Sequence, residues 1–301
     1  MRPGSILFAV ICSVAIGSLT ARASNSDIQV TDDAGTQVEI DHPARRVIAI
    51  APDLAELVYA AGAGQWLIAT VRGADYPPQV AALPSVGDAS GLDLERIRQL
   101  EPDLIVAWGS GNKPADLARL RAGPVATLVL EPHTLDDVAH HIRLVGDLAG
   151  TQAVAEAAAE RFERDLQQLR QRYAHASVIN VVVEIWQQPL FTVGPAHPLS
   201  DALDVCGARN ALADYPLLAG PVPIEDVLMA NADVILSVTG LPADETRARS
   251  QRLRSLPGRM PLEVISMDPD LLTRSGPRIL DGVVHLCARL DQLRNAQVEQ
   301  R

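Results

Sequence analysis

The side chains that most often bind metals or catalyse reactions are thinly spread along this chain. The adjacent pair His140 and His141 falls on a predicted helix, where neighbouring side chains point in different directions and cannot easily hold one ion. A metal receptor would need two or three histidines and a carboxylate that converge, and only His133 and His197 follow predicted strands. An exported metal-dependent enzyme is therefore kept only as an alternative.

Motifs that mark known catalytic centres do not occur in the sequence. It contains no H-E-x-x-H, G-x-S-x-G, phosphate-binding P-loop or C-x-x-C motif, and its short glycine pairs lack the complete dinucleotide-binding fingerprint. We therefore predict that the protein is not an enzyme, holds no resident metal and uses no cofactor.

Aromatic residues are scarce, which makes those in predicted loops informative. Trp108 ends a predicted strand, and Phe191 lies in a loop that follows another. Flat rings in such loops suit a large and partly apolar ligand, so we predict that these two residues bind one, with core packing as the alternative. Tyr76 and Trp186 lie in similar loops, but packing at the core or at the rim explains their positions better.

One long helix is predicted to position these loops. Residues 151–174 contain no Pro or Gly and are rich in Ala, Glu, Gln, Leu and Arg. Apolar residues recur in this stretch at steps of three and four, namely Val154, Ala158, Phe162, Leu166, Leu169 and Tyr173. About 24 residues at ~1.5 Å each give a rod of roughly 36 Å, which is long enough to bridge two lobes.

The segments on either side of this helix share one pattern. The stretch LERIRQLEPDLIV (94–106) matches IEDVLMANADVIL (224–236) at a constant offset, so that Glu95 corresponds to Glu225. Each segment is typical of a short helix, a turn and a buried strand. We interpret the match as an internal duplication, with chance similarity between two αβ units as the alternative.

Alternating strand and helix patterns predict an α/β protein with two lobes. The N-terminal lobe spans residues 24–150 and opens with a β-hairpin at residues 28–40. The C-terminal lobe spans residues 175–294 and is followed by a polar tail at residues 295–301. The long helix at residues 151–174 joins the two lobes.

Small ligands of open α/β folds bind at the loops that follow the strands, in the crevice where such loops face each other. In the first lobe the candidate loops contain Pro52, Asp53 and Gly73, which we predict to be ligand-binding residues. In the second lobe the corresponding candidates include the loop at residues 268–274.

The N-terminus has the three parts of a secretory signal peptide. A charged start is followed by an apolar run from Ile6 to Ile16 and by the cleavage motif Ala21-Arg22-Ala23. Removal of residues 1–23 is therefore expected, and the mature protein should be soluble in the periplasm. Removal takes away two arginines and no acidic residue, which moves the net charge from −11 to −13 and disfavours nucleic-acid binding.

Two cysteines, Cys206 and Cys287, remain after this cleavage, in a compartment where disulfides persist. The even count predicts one bridge between them, wholly within the C-terminal lobe. Two separate buried thiols are the alternative.

Short motifs along most of the mature chain resemble the periplasmic cobalamin-binding proteins of bacterial ABC importers. The match runs from Arg46 to Leu290 and includes DYPPQ (75–79), LERI (94–97), PDLIVAW (102–108), F-T-x-G (191–194), VCG (205–207) and GPRI (276–279). The resemblance implies two Rossmann-like lobes joined by a single long backbone helix, with a corrinoid, cobalamin, as the transported ligand in the crevice. It also implies a monomer that delivers this ligand to a permease dimer in the inner membrane.

The resemblance further implies roles for individual residues. The family disulfide falls on Cys206 and Cys287, and Trp108 and Phe191 fall on family ligand contacts. The ligand-contacting D-x-x-x-R loop corresponds to Asp270, Leu271, Leu272, Thr273 and Arg274, for which a local ion pair between Asp270 and Arg274 is the alternative. The permease-docking glutamates correspond to Glu95 and Glu225, for which stabilisation by the helix dipole is the alternative.

Three departures from the family pattern concern the ligand. Gly73 and Ala89 stand where the family has a Tyr and a Trp, and the D-x-x-x-R loop lacks the rings of the family. Each stacked ring contributes roughly 0.5–1.5 kcal/mol beyond its buried area, so a corrinoid would lose contacts here. A ferric siderophore or haem, bound by the wider family of the same fold, is therefore the alternative ligand.

Overall fold

The computed structural model describes residues 28–254 and 263–299, and the predicted signal peptide lies outside these ranges. Within the described ranges, no helix combines the length and the apolar character needed to cross a membrane. The chain starts with the predicted hairpin, formed by the antiparallel strands β1 (Ile28–Thr31) and β2 (Gln37–Ile40). Its turn contains Gly35 at a positive φ of 73°, a conformation that favours glycine.

A parallel sheet of four strands forms the N-terminal lobe, in the order β4-β3-β7-β8. Its strands, with a short hairpin β5-β6 between them, are β3 (Val47–Ala49), β4 (Leu67–Ala69), β5 (Gly87–Asp88), β6 (Gly91–Leu92), β7 (Leu104–Trp108) and β8 (Ala126–Leu130). Its helices are α1 (Pro52–Ala60), α2 (Leu94–Gln99), α3 (Pro114–Arg121) and α4 (Asp136–Ala149).

The strands of this sheet are apolar along their length because both faces of the sheet are covered. In β7, Leu104 and Val106 pack into one hydrophobic cluster, while Ile105 and Ala107 pack into a second cluster on the opposite face. The first cluster continues through the long helix into the C-terminal lobe. One core therefore runs through both lobes.

The predicted long helix is present as α5 (Gln152–Tyr173). Its buried residues are Ala155, Ala159, Phe162, Leu166 and Tyr173, so the buried face differs at the N-terminal end from the predicted one. Val154, which was predicted to lie on this face, is 54% exposed. The reason is close packing against α4, because a Cβ at Gly146 would overlap the Cβ of Ala155, and only small residues fit at this contact.

The C-terminal lobe has a second parallel sheet, in the order β12-β9-β14-β15, and an antiparallel sheet β10-β11-β13 that the sequence did not predict. The strands are β9 (Ile179–Glu184), β10 (Trp186–Gln187), β11 (Leu190–Val193), β12 (Ala208–Asn210), β13 (Ala219–Pro221), β14 (Val234–Ser237) and β15 (Glu263–Ser266). The helices are α6 (Pro198–Val205), α7 (Ile224–Met229), α8 (Ala243–Arg254), α9 (Pro269–Leu272) and α10 (Ile279–Glu299).

The last helix is longer than predicted. The sequence predicted a polar tail at residues 295–301, whereas α10 continues to Glu299. Arg294 explains part of this extension, since its guanidinium is buried and donates to the carbonyl groups of Cys206 and Gly207 at 2.7 and 3.0 Å. Residues 295–299 therefore form the last part of α10 and not a separate tail.

The two parallel sheets have the same strand order, which fits the proposed duplication: β4, β3, β7 and β8 take the places of β12, β9, β14 and β15. The segments that matched in sequence form α2 and β7 in one lobe and α7 and β14 in the other. The predicted disulfide between Cys206 and Cys287 is confirmed, and it joins the end of α6 to α10 within the C-terminal lobe.

Candidate functional site

A crevice of about 600 Å³ lies between the two lobes. About half of its lining residues directly follow the carboxyl ends of the parallel strands, which is where ligands bind in open α/β sheets. From the N-terminal lobe it is lined by Trp108, Ser110, Gly111, Glu131 and Pro132. From the C-terminal lobe it is lined by Ile185, Trp186, His197, Pro198, Leu199, Leu218, Ala219, Val238, Thr239, Pro269, Thr273 and Ser275.

Trp108 and Glu131 form the wall contributed by the N-terminal lobe. Trp108 ends β7, Glu131 follows β8, and these strands are neighbours in the sheet. The indole Nε1–H of Trp108 donates to Glu131 Oε1 at 3.2 Å. Ser110 donates to the same carboxylate through its backbone N–H and, at 2.9 Å, through its hydroxyl group. The indole is thereby held at the edge of the crevice.

The wall of the C-terminal lobe contains Trp186, which is 62% exposed and begins the antiparallel pair β10-β11. Phe191 lies opposite Trp186 in this pair and is half-buried, and it is not among the residues that line the crevice. Beneath this wall, the hydroxyl of Ser237 donates to the buried carboxylate of Glu184, which also pairs with Arg249. The two hydroxyl groups of Ser237 and Thr239 lie 2.9 Å apart, which joins the crevice to this network.

His197 places a neutral imidazole in the crevice. Its Nδ1 accepts the backbone N–H of Leu199 at 3.1 Å and so caps α6. Burial, together with the charge of nearby His133, lowers the pKa of His197 from 6.5 to about 4. Because Nδ1 is an acceptor, the proton of the neutral ring lies on Nε2, which leaves Nε2–H as the donor for a ligand.

The predicted contact residue Arg274 forms a bridge between the lobes. Its guanidinium donates to Asp75 Oδ1 at 2.7 Å and to the carbonyl of Gly73 at 3.2 Å, both in the N-terminal lobe. It also pairs with Asp270 Oδ1 at 2.9 Å within its own loop. The local ion pair and a contact across the crevice edge are therefore both present at this side chain.

A second arginine strengthens the same bridge. Arg278 pairs with both carboxylate oxygens of Glu56, at 2.8 and 2.6 Å, and lies 3.8 Å above the ring of Tyr76. We call Arg274, Arg278, Glu56 and Asp75 the arginine clamp. It adjoins the crevice through Thr273 and Ser275, which lie next to Arg274 in the chain.

The lobes are also joined at a second place, which we call the aspartate clamp. Asp201 of the C-terminal lobe accepts the backbone N–H of Leu135 at 2.8 Å, and Arg170 of α5 contacts both Asp136 and Asp201. Beside it, His133 Nδ1 lies 3.1 Å from the carbonyl of Ala196. His133 and His197 thus have partners of their own, and the described residues contain no group of three His, Cys, Asp or Glu side chains that could hold a metal ion.

The structure brings together only part of the predicted ligand-binding set. Trp108 and Thr273 line the crevice, and Gly73, Asp270 and Arg274 meet at the arginine clamp. The remaining members lie outside the lining, with Asp53 and Leu272 buried and with Pro52, Phe191 and Leu271 partly exposed. Their roles in binding stay predictions.

Several lining residues were not predicted to bind, among them Glu131, Thr239 and Ser275. The sequence signal that could have identified Glu131 and Thr239 is their position, because each lies one or two residues after a buried strand. A second cavity, of about 720 Å³, lies within the C-terminal lobe alone beside α8 and β15. The described residues that line it include no aromatic ring, and it does not separate the lobes, so the crevice is the better candidate.

The two predicted docking glutamates lie on the surface at the start of α2 and α7. Glu95 pairs with Arg98 at 3.2 Å, while Asp93 caps α2 by accepting the N–H of Arg96. Asp93 thus performs the side-chain capping of α2, while Glu95 lies in the first turn, where the helix dipole can stabilise its charge. Docking by these glutamates stays a prediction.

Comparison with known proteins agrees with this architecture. The vitamin B12-binding protein of Vibrio cholerae serotype O1 is 34% identical over 248 residues, which cover 82% of this chain and 90% of that protein. The protein of the same description from Pectobacterium atrosepticum is 34% identical over 260 residues, which cover 84% of this chain and 90% of that protein. Similarity therefore extends over nearly the full length of these relatives.

Solved structures of periplasmic binding proteins also resemble this fold. The crystal structure of the periplasmic vitamin B12 binding protein BtuF of Vibrio cholerae has a TM-score of 0.74 and 32% identity, covering 83% of this chain and 97% of that one. A periplasmic haem-binding protein from Pseudomonas aeruginosa has a TM-score of 0.67 and 25% identity, covering 82% and 92%. Residues 47–258 match the family described as periplasmic binding protein, and the chain belongs to this family.

Proposed function

We propose that the protein is the substrate-binding component of an ABC importer and captures a corrinoid, with cobalamin as the expected ligand, in the crevice between its lobes. It acts by binding alone in the periplasm, catalyses no reaction, and hands the ligand as a monomer to a permease dimer in the inner membrane. The vitamin B12-binding relatives support this proposal, because their identity extends over most of both chains.

The charge of the crevice is the observation that carries the choice of ligand. Among the lining residues within the described ranges, none is Lys or Arg, and only Glu131 has a formal charge at neutral pH. The lowered pKa of His197 keeps its imidazole neutral. Haem and the catecholate or carboxylate siderophores carry anionic groups, which proteins bind mainly through Arg. A ligand whose polar groups are neutral amides suits this crevice better.

The polar groups of the crevice match such amides. Thr239 and Thr273 offer hydroxyl groups that can donate and accept, and His197 offers Nε2–H. The apolar part of a corrinoid can rest on the rings of Trp108 and Trp186. This combination of flat rings and a few neutral polar groups supports a corrinoid.

Haem is the second candidate, because a haem-binding protein shares the fold at 25% identity. Haem binding would need an axial ligand to iron, commonly His, Cys, Met or Tyr. Among the described lining residues only His197 is of these types, and its Nδ1 already accepts the N–H of Leu199. Ligation through Nε2 would require loss of this cap, which makes haem the weaker proposal.

Titration of the purified mature protein with four ligands tests the proposal. We expect saturable one-to-one binding of cyanocobalamin and cobinamide by calorimetry, and no binding of haem or a ferric catecholate. The reason is that the last two bring anionic groups into a crevice whose described lining residues include no Lys or Arg. Haem binding with a new Soret band, in a protein that does not bind either corrinoid, would overturn the choice of ligand while leaving the transport role standing.

A further inference from the structure

The carboxylate of Glu131 is surrounded by donors from one short loop. It accepts the indole Nε1–H of Trp108 and the hydroxyl group of Ser110 at Oε1, and the backbone N–H of Ser110 at Oε2. A carboxylate can only accept, and each of these three groups can donate, so the arrangement is fully matched. Hydrogen bonds to an ionised acceptor are stronger than those between neutral groups.

The position of Glu131 is itself fixed from the opposite side. Its backbone N–H donates to Asp33 Oδ2 at 2.6 Å, and this oxygen also lies 2.7 Å from Nε2 of the buried His141. Asp33 belongs to the turn of the leading hairpin, and its own N–H donates to the carbonyl of Val129 at 3.1 Å. The end of β8 is therefore held between the hairpin and the loop after β7.

The glycines of this loop fit closely around the same two side chains. A Cβ at Gly111 would overlap the ring of Trp108, and a Cβ at Gly109 would lie 2.6 Å from Glu131 Oε2. Two glycines within a stretch of three residues also leave the free loop with many conformations. The hydrogen bonds to Glu131 select one of them together with those of Asn112, whose side chain accepts the N–H of Trp108 and donates to the carbonyl of Ile50.

We propose that Glu131 is a positioning residue for ligand binding, which holds the indole of Trp108 and the loop 108–112 in place as a preformed wall of the crevice. The inference rests on the proposed function, because it assumes that the crevice binds the ligand. A ring that is ordered before binding does not have to be ordered by the ligand, so the ligand binds more tightly. Glu131 thus acts on affinity through Trp108.

The substitution Glu131→Gln separates this role from simple volume. Glutamine has nearly the same shape but only one acceptor oxygen, so either Trp108 Nε1–H or the N–H of Ser110 would face an NH₂ group. We expect the variant to bind cyanocobalamin about tenfold more weakly, the loss typical of one charge-assisted hydrogen bond. Glu39→Gln is the matched control, because it makes the same change at an exposed carboxylate of the leading hairpin, outside the crevice lining, and its affinity should stay within about twofold.

A double-mutant cycle tests whether the effect passes through Trp108. Trp108→Phe keeps an aromatic ring but has no Nε1–H. In this background Glu131→Gln should cost about threefold or less, because the bond to the indole is already absent. Equal losses from Glu131→Gln in both backgrounds would show that Glu131 acts independently of Trp108, and the proposal would be wrong.

A ligand-free measurement keeps the test separate from the proposed function. The chain has three tryptophans, so the indole N–H region of a ¹⁵N spectrum should be simple, and Trp108→Phe assigns one signal by its loss. Glu131→Gln should shift or broaden this signal and leave the other two in place, and Glu131→Asp should restore part of the shift. An unmoved Trp108 signal refutes the positioning role, whereas a wild-type protein that binds no corrinoid refutes only the proposed function.

Discussion

Asp53 is a carboxylate that the fold buries in the first turn of α1, where it is 4% exposed. Burial raises the pKa of Asp53 from 3.8 to about 6, and the charge of Glu56 adds to the rise, while backbone hydrogen bonds and the charge of Arg274 oppose it. Folding therefore favours the protonated form of Asp53. This form contributes fully to stability at pH values below 3.8, the pKa of Asp53 in the unfolded chain. The contribution is lost as the pH rises through about 6, the pKa of Asp53 in the folded protein.

We therefore expect Asp53→Asn to be more stable than the wild-type protein at pH 8, by up to about 3 kcal/mol, because it removes an ionised buried group. The difference should shrink towards zero at pH 4. Urea unfolding at both pH values measures it, with Glu95→Gln, an exposed carboxylate in the first turn of α2, as the control. A gain in stability that is the same at pH 4 and pH 8 would contradict the assignment.

Arg274 is held by Asp75 at the edge of the crevice, and the ligand would have to share this guanidinium. We expect Arg274→Ala, combined with Asp270→Ala, to weaken cyanocobalamin binding about tenfold, because donors and acceptors for the ligand amides are lost. Asp75→Ala removes a competitor and should leave the affinity unchanged or higher. Binding constants from calorimetry compare the three proteins.

If Asp75→Ala weakened binding as much as the double variant, Arg274 would act by joining the lobes and not by contacting the ligand. The geometry is compatible with a role in joining the lobes, since Arg274 also lies 3.6 Å from Glu56 of the N-terminal lobe. The comparison between Asp75→Ala and the double variant therefore separates these two functions of Arg274.

At the scale of single residues, the sequence was sufficient to place Trp108 beside the crevice, because this residue ends an apolar strand and strand ends meet at one edge of a parallel sheet. The sequence was insufficient to place Phe191. This residue lies on β11 of an antiparallel sheet whose pairing depends on β13, nearly thirty residues further along the chain. Glu131 was missed for a related reason, since its partners Trp108 and Ser110 come from the neighbouring strand.

Among the elements, the leading hairpin is attached to the N-terminal lobe by a buried carboxylate. Asp32 accepts the N–H groups of Ala34 and Thr36 within the turn, at 3.0 and 2.8 Å. It also accepts the N–H of Val129 at 3.2 Å and pairs with Arg121 at 2.8 Å. The hairpin that the sequence predicted as a leading flap is therefore fixed to β8 and α3.

We expect Asp32→Ala to lower the free energy of unfolding by about 2–4 kcal/mol, because several donors, one of them charged, lose their acceptor. Glu39→Ala on the same hairpin is exposed and should change stability by less than about 0.5 kcal/mol. Urea unfolding of both variants measures the difference. Equal stability of the two variants would mean that the hairpin is attached by its apolar residues alone.

The elements themselves were largely predictable from apolar periodicity, and the end of β7 at Trp108 agrees with the prediction. The face of α5 was predicted less well, because Val154 and Ala155 are adjacent and the contact with Gly146 of α4 decides which of them is buried. Such a contact depends on the approach of two backbones, which the periodicity of one helix does not contain.

On the scale of the whole molecule, Glu95 and Glu225 occupy equivalent places in two lobes of the same topology. We expect Glu95→Arg combined with Glu225→Arg to leave ligand affinity within about twofold and to reduce uptake and permease binding strongly, because charged contacts set register and association rate. Uptake of labelled cobalamin by cells, and binding to the permease in nanodiscs, measure the effect.

A variant with the same change in charge controls for nonspecific effects of added arginines. Glu39→Arg combined with Glu245→Arg alters two exposed acids, one in each lobe, and should leave uptake normal. Normal uptake by a folded, ligand-competent Glu95 and Glu225 variant would reject the docking role.

The two clamps have a mechanical consequence for unloading. The chain passes between the lobes through α5, and the arginine and aspartate clamps join the lobes at two further places. Opening of the crevice has to break these contacts between the lobes. In the importer that we propose, the work of separating the lobes for release of a large ligand comes from ATP hydrolysis.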